Sequence, residues 1–147
     1  MAKFFETTTA GVALARTART STDSNLLVSV GETINVTAIQ LTLGALFGNI
    51  RVPKGAEIAF VQLDATDLDT NGTPLITLEV GDAVNTARLL TANAVAQTGA
   101  APVGPTIAKT GFGYRYTDET LVQVRVAAIP GTAAAGSVKY AIHYISQ

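Results

Sequence analysis

Two runs of strict apolar–polar alternation limit what this chain can become. Glu57 to Asp64 places Ala59, Val61 and Leu63 on one face of an extended chain, and Ile58, Phe60 and Gln62 on the other. Pro74 to Val80 groups Ile76, Leu78 and Val80 against Thr77 and Glu79. A period of two marks half-buried strands and does not fit an amphipathic helix. Between the runs, Ala65 to Thr73 is rich in turn residues, and Asn71-Gly72 accepts the positive backbone angles of a tight hairpin. The expectation is a hairpin of these two strands, extended by further antiparallel strands on either side.

The rest of the chain repeats the signal. Leu26 to Val30 reads as a short strand ended by Gly31, and Thr33 to Leu43 as a longer one closed by Gly44. Ala45 to Val52 reads as a corner, and Thr86 to Asn93 as a strand or one helical turn, with strand preferred. Ala94 to Lys109 is an Ala-, Gly- and Pro-bearing loop of a length that usually serves contact or function. Gly111 to Tyr116 reads as a short aromatic strand whose two Tyr rings share a face. The clearest alternation is in Leu121 to Ala128, with Val122, Val124 and Val126 inward and Gln123 and Arg125 outward. In the last strand Val138, Tyr140, Ile142 and Tyr144 oppose Lys139 and His143. The sum is an all-β antiparallel sandwich of about eight strands, jelly-roll or Ig-like, over residues 26–147.

Residues 1–25 stand apart. They are Thr- and Ala-rich, with Phe4 and Phe5 near the start and Arg16 and Arg19 further along. Such a segment has no apolar stripe with which to build its own core. Two readings stay open: a tail without order, or an extended N-terminal arm that orders on a neighbouring subunit by strand addition.

Composition removes several function classes. Charged residues make up 14% of the chain, below the roughly 25% of ordinary soluble domains. That shortfall points to surface covered by partners. With net charge −1 and scattered Lys and Arg, no basic face is available for nucleic acid or an anionic membrane. No run approaches the roughly 20 apolar residues of a membrane span. The start lacks a signal-peptide core, so synthesis in the cytoplasm is expected. The absence of Cys excludes disulfides and thiolate metal sites.

Few motifs suggest chemistry. Asp67-Leu-Asp69-Thr-Asn71-Gly72 opens like a calcium loop, with oxygens at alternate positions and a Gly kink. The position that should hold a bidentate Glu is Leu78, and strand rather than helix follows. Asp67, Asp69 and Asn71 are therefore half a cation motif set against an ordinary Asx-rich turn. His143 is the only His and has no nucleophile turn to serve. A glycosidase pair drawn from Asp64, Asp67, Asp69 and Glu79 would place carboxylates in open water, where they keep ordinary acidity. No enzyme and no cofactor is expected.

One resemblance adds to this reading. Pro53 to Ala56, Asp67 to Asp69, Thr77 to Asp82, Gln97 to Gly99, Val122 to Val126 and Gly136 to Tyr144 form a series of turn and strand-end motifs. Over about residues 46–145 the series resembles tailed-bacteriophage head decoration or cement proteins, small β-sandwich virion proteins encoded near the major capsid protein. The resemblance implies a structural subunit on the outer surface of the phage head, bound to the major capsid protein and stabilising capsomer junctions. It implies self-association, with a trimer favoured by analogy to proteins on threefold points. Candidate contact residues are Phe4, Phe5, Arg16 and Arg19 in the arm and Gln97, Pro102, Pro105 and Lys109 in the long loop. Alternatives are a tail or head–tail adaptor subunit, or a carbohydrate-binding β module.

Overall fold

The computed structural model describes residues 26–146. The strands are β1 (Leu27–Val36), β2 (Leu46–Val52), β3 (Glu57–Ala65), β4 (Thr77–Gly81), β5 (Leu90–Asn93), β6 (Val103–Thr106), β7 (Thr120–Ala128) and β8 (Gly136–Ile145). They form two four-stranded sheets, ordered β1-β8-β3-β6 and β2-β7-β4-β5, and every pairing is antiparallel. The first strand pairs with the last, the second with the seventh, the third with the sixth and the fourth with the fifth. The chain is thus one long hairpin wound around itself, which is the jelly-roll topology and not the Ig-like one.

The core lies between the sheets. Val122, Val124 and Val126 of β7 face Val138, Tyr140, Ile142 and Tyr144 of β8, and all seven are buried, as the alternation predicts. Ile76, Leu78 and Val80 join them from the β4 segment. With aliphatic side chains dominating and no Trp, the layers pack closely.

Several expectations are corrected, among them that Ala45 to Val52 is a corner: Leu46–Val52 is strand β2. β3 and β4 do not pair as a hairpin, because they lie in different sheets and the segment between them crosses the end of the sandwich. Ile58 joins Val61 and Leu63 in the core, because a register shift between Ile58 and Phe60 turns the strand over by one residue. Gly31 does not end a strand. It sits inside β1, opposite Ala141; the strand ends at Val36 instead, followed by one turn of 3-10 helix at Ala38–Gln40 and a turn at Leu43–Gly44. The loop from Ala94 to Lys109 contains β6, while Gly111 to Tyr116 is a turn with a single bridge, Glu57 to Arg115.

Gly48 marks a close approach between the sheets. The β2 register shifts between Phe47 and Ile50, and Gly48 takes φ +97° directly over the Tyr140 ring. A Cβ there would sit 2.2 Å from the Tyr140 hydroxyl oxygen. That hydroxyl donates to the Val122 carbonyl at 2.8 Å and accepts from the Ile50 N–H at 3.3 Å, joining the two sheets. Burial pushes its pKa up to about 12. Gly48→Ala combines left-handed backbone strain with a clash, so it should cost on the order of 3 kcal/mol in chemical denaturation. A loss below about 0.5 kcal/mol would show that Tyr140 is not held in this contact.

Candidate interaction surface and its polar anchors

The two ends of the sandwich are built differently. At one end the chain crosses between sheets through Thr66 to Ile76, with the β1–β2, β5–β6 and β7–β8 connections beside it. The buried carboxylate of Asp69 holds this end together. Its Oδ1 accepts from the N–H groups of Asn71 at 3.2 Å and Thr132 at 2.8 Å. Its Oδ2 accepts from Leu75 at 2.7 Å, Ile76 at 3.2 Å and Gly131 at 2.9 Å. One side chain thereby fixes the crossing segment against the β7–β8 connection. Burial alone would raise the Asp69 pKa, but the backbone donors from Leu75, Thr132, Gly131 and Asn71 outweigh it and hold the carboxyl far below its usual range.

The half calcium motif is therefore used in another way. Asp67 accepts from the Asp69 N–H at 3.1 Å and from the Thr98 hydroxyl at 2.6 Å. The Asn71 carbonyl oxygen accepts from Thr73 N–H at 2.8 Å, and its amide donates to the Thr132 hydroxyl at 3.3 Å. The three side chains aim at different partners, and the Asp69 oxygens face amide protons, which repel a cation. Among the described residues no group of three or more His, Cys, Asp or Glu side chains could hold a metal ion. The other acids disperse: Asp64 is exposed on one sheet, and Glu79 pairs with Arg125 at 3.3 Å on the other.

The opposite end carries a second anchor. Asp82 follows β4 and accepts at Oδ1 from the N–H groups of Val84 and Asn85, both at 2.9 Å. Its Oδ2 accepts from the Arg88 guanidinium and, at 2.9 Å, from the Tyr116 hydroxyl. Arg88 lies 3.9 Å over the Tyr114 ring, which meets Tyr116 edge-on at 5.0 Å. Burial opposes ionisation of Asp82, yet Arg88, Asn85, Tyr116 and Val84 together lower its pKa. Burial first, and then the carboxylate it donates to, push the Tyr116 hydroxyl well above the usual phenol range. A buried Arg–carboxylate pair with each oxygen occupied holds loops in place and has no free base. The adjoining cavity of about 210 Å3 is lined by these same groups with Asp118 and Thr120.

His143 lies on the outward face of β8, stacked on Phe60 with centroids 4.2 Å apart, and its Nε2 is 2.8 Å from Oε1 of the Gln62 side chain. Burial lowers its pKa. None of these contacts is a nucleophile or a carboxylate, so the geometry supports packing and not proton transfer.

Of the loop residues expected to make contacts, Pro102, Pro105 and Lys109 are exposed. Pro102 borders a shallow groove of about 290 Å3 with Gln62, Asp64, Lys139 and Ala141. Gln97 is half-buried and turned inward, its amide donating to the Ile76 carbonyl at 2.8 Å, so it shapes the Asp69 end. Phe4, Phe5, Arg16 and Arg19 lie outside the described residues. Sequence reasoning missed the apolar surface at the Asp69 end. Ile39 (85% exposed), Leu43, Leu46, Leu75 and Ile129 all belong to the strand ends or connections there. Their signal was apolar residues at the ends of the extended runs or off their apolar face.

The described residues form an eight-stranded jelly roll whose buried carboxylates, Asp69 and Asp82, are bonded within the fold. No protein-family model and no curated protein matches the chain. Among solved structures, a chain of the cyanophage Pam1 capsid asymmetric unit matches with TM-score 0.71 and 34% identity, over 82% of this chain and 85% of that one. A chain of the capsid of Ralstonia phage GP4 matches with TM-score 0.72 and 26% identity, over 84% of this chain and 86% of that one. The chain belongs to the same family as the Pam1 capsid chain, that of small phage virion proteins.

Asp69→Asn leaves one acceptor oxygen for five donors and removes the charge, and should destabilise by about 3 kcal/mol or more in denaturant titrations. Because the folded-state pKa is depressed, the carboxylate's contribution is present above the unfolded value, about 3.9, and is lost as pH falls below it. Wild-type stability should therefore drop steeply below about pH 4, and the variant's less steeply. Parallel curves would show that Asp69 carries no such contribution.

Proposed function

We propose that this protein is a capsid cement or decoration subunit that binds the outer surface of the phage head and stabilises junctions between capsomers. The observation that carries the reading is the 34% identity, over most of both chains, to a chain of a capsid asymmetric unit. Two physical features support it. The exposed apolar side chains at the Asp69 end are five aliphatics in a chain of unusually low charge, which suits a surface covered in an assembly. The polar clusters are consumed by the fold, and cement action needs none of them: it buries area across several subunits, so internal pressure must break many contacts together.

In this reading the partner is the major capsid protein, with copies of the chain associating at a symmetric junction, a trimer being the closed form favoured. The leader with Phe4 and Phe5, and the exposed loop residues Pro102, Pro105 and Lys109, reach the neighbours. No catalytic step is involved. The location is the virion surface, after synthesis in the host cytoplasm.

Purified protein should saturate expanded capsid shells, and deletion of residues 1–25 should weaken binding by about tenfold or more in a co-sedimentation assay. A truncated protein with unchanged affinity would remove the leader from the interface. Failure of the full chain to bind shells, together with about six or twelve copies per particle by quantitative mass spectrometry, would point to a ring in the tail or at the portal.

A further inference from the structure

Asn71 is the only Asn in the chain that is followed by Gly. An Asn–Gly pair is chemically labile, because no side chain on the second residue shields its nitrogen. That backbone nitrogen can attack Cγ of the Asn; a C–N bond forms, the C–N bond of the side-chain amide breaks, and ammonia leaves. Water then opens the cyclic imide on one side or the other, giving aspartate or isoaspartate, and no co-reactant besides water is needed. The turn itself does not call for glycine. Gly72 does not take a left-handed φ, and among the described residues a Cβ there would meet no atom within 4 Å.

The surroundings hold the Asn71 amide at both of its polar atoms. Oδ1 accepts from the Thr73 N–H at 2.8 Å, and Nδ2 donates to the Thr132 hydroxyl at 3.3 Å. The group packs against Gly131, where a Cβ would come within 2.9 Å of Cγ and 3.1 Å of Nδ2. The backbone is fastened as well: the Asn71 N–H donates to Asp69 Oδ1 at 3.2 Å, and the Thr70 N–H to the Thr132 carbonyl at 3.0 Å. Attack on Cγ requires the Gly72 nitrogen to approach across the plane of the amide, and these contacts keep that plane from turning.

We propose that Asn71 is a deamidation site that the closed Asp69 end keeps intact and that opening of this end releases. Gly131 and Thr132 leave Asn71 together when the β7–β8 connection lifts, because both are tied to the same carboxylate. The chemical change outlasts the opening. Aspartate at position 71 puts a second negative charge beside Asp69, while isoaspartate lengthens the backbone ahead of Leu75 and Ile76, two of the five donors to Asp69. Either product hinders reclosure, so a transient opening leaves a lasting mark. The inference does not depend on the virion reading.

The test compares the unaltered full chain, folded and unfolded in guanidinium chloride, during incubation in warm, mildly alkaline buffer. The tryptic peptide Gly55–Arg88 is followed by mass spectrometry, with fragment ions separating Asn71 from Asn85. The unfolded chain should convert Asn71 ahead of every other Asn. The folded chain should do so at least about tenfold more slowly, since modification tracks the population of the open form. Equal rates in the two states, or another Asn converting first in the unfolded chain, would overturn the proposal. Thr132→Val removes the Asn71 acceptor at nearly constant volume and should convert about fivefold faster than the folded unaltered chain. Thr98→Val, which loses a hydroxyl bonded to Asp67 at the same end, should not, and equal rates in these two variants would refute the restraint. Gly72→Ala should keep the denaturation midpoint and suppress conversion in both states; undiminished conversion would exclude the Gly72 nitrogen as nucleophile. Converted protein, separated by ion exchange, should unfold at lower denaturant than the unconverted chain, and coincident curves would contradict the hindered reclosure.

Discussion

A single buried carboxylate decides how this sandwich closes. Strands that change sheet must pass over the end of the core, where backbone N–H groups leave the ladder and need partners. Asp69 supplies five of those partners from one fully buried side chain, spanning the β3–β4 crossing and the β7–β8 connection. The charge is tolerated away from water because every donor is a fixed dipole pointing at it.

With that end fixed, the remaining architecture follows. Because β3 and β4 cannot pair, each seeks a later strand, β3 joining β8 and β6, and β4 joining β7 and β5. The Tyr140 hydroxyl ties β2 to β7 from below, and Asp82 with Arg88 and Tyr116 pins the loops of the far end. All three polar nodes are saturated, and among the described residues no buried side-chain N or O lacks a partner. Among the described residues the buried polar groups are spent on the fold, and exposed aliphatics lie at the strand ends and connections of the Asp69 end. This arrangement agrees with the kinship to phage capsid chains.

Much of this was readable in the residues, and the failures have physical causes. Where one face is buried and the strand itself carries no bulge, as in β8 and in β7 from Val122 to Val126, alternation assigned each side chain correctly. In β3 the same reasoning placed Ile58 on the wrong face, since a bulge costs one residue and leaves no mark in the sequence. Asn71-Gly72 looked like a hairpin turn because its composition is that of one. The missing information was that Asp69, two residues earlier, is buried, and burial of an Asx carboxylate depends on donors 62 and 63 positions away. Gly31 looked like a terminator, but beside Ala141 on a flat edge it is only a small residue in a strand. The exposed aliphatics at the Asp69 end carry no periodic signal, so only the folded chain gathers them.

The most direct test of this account is the ionisation of Asp69 itself, followed by the chemical shift of its carboxyl carbon in an NMR titration with and without calcium. The account predicts that the carboxyl remains ionised at pH 3, where an ordinary aspartate near 3.9 is mostly protonated, and that millimolar calcium leaves the signal unmoved. A midpoint near 4, or a calcium-dependent shift, would contradict a carboxylate committed to five backbone amides.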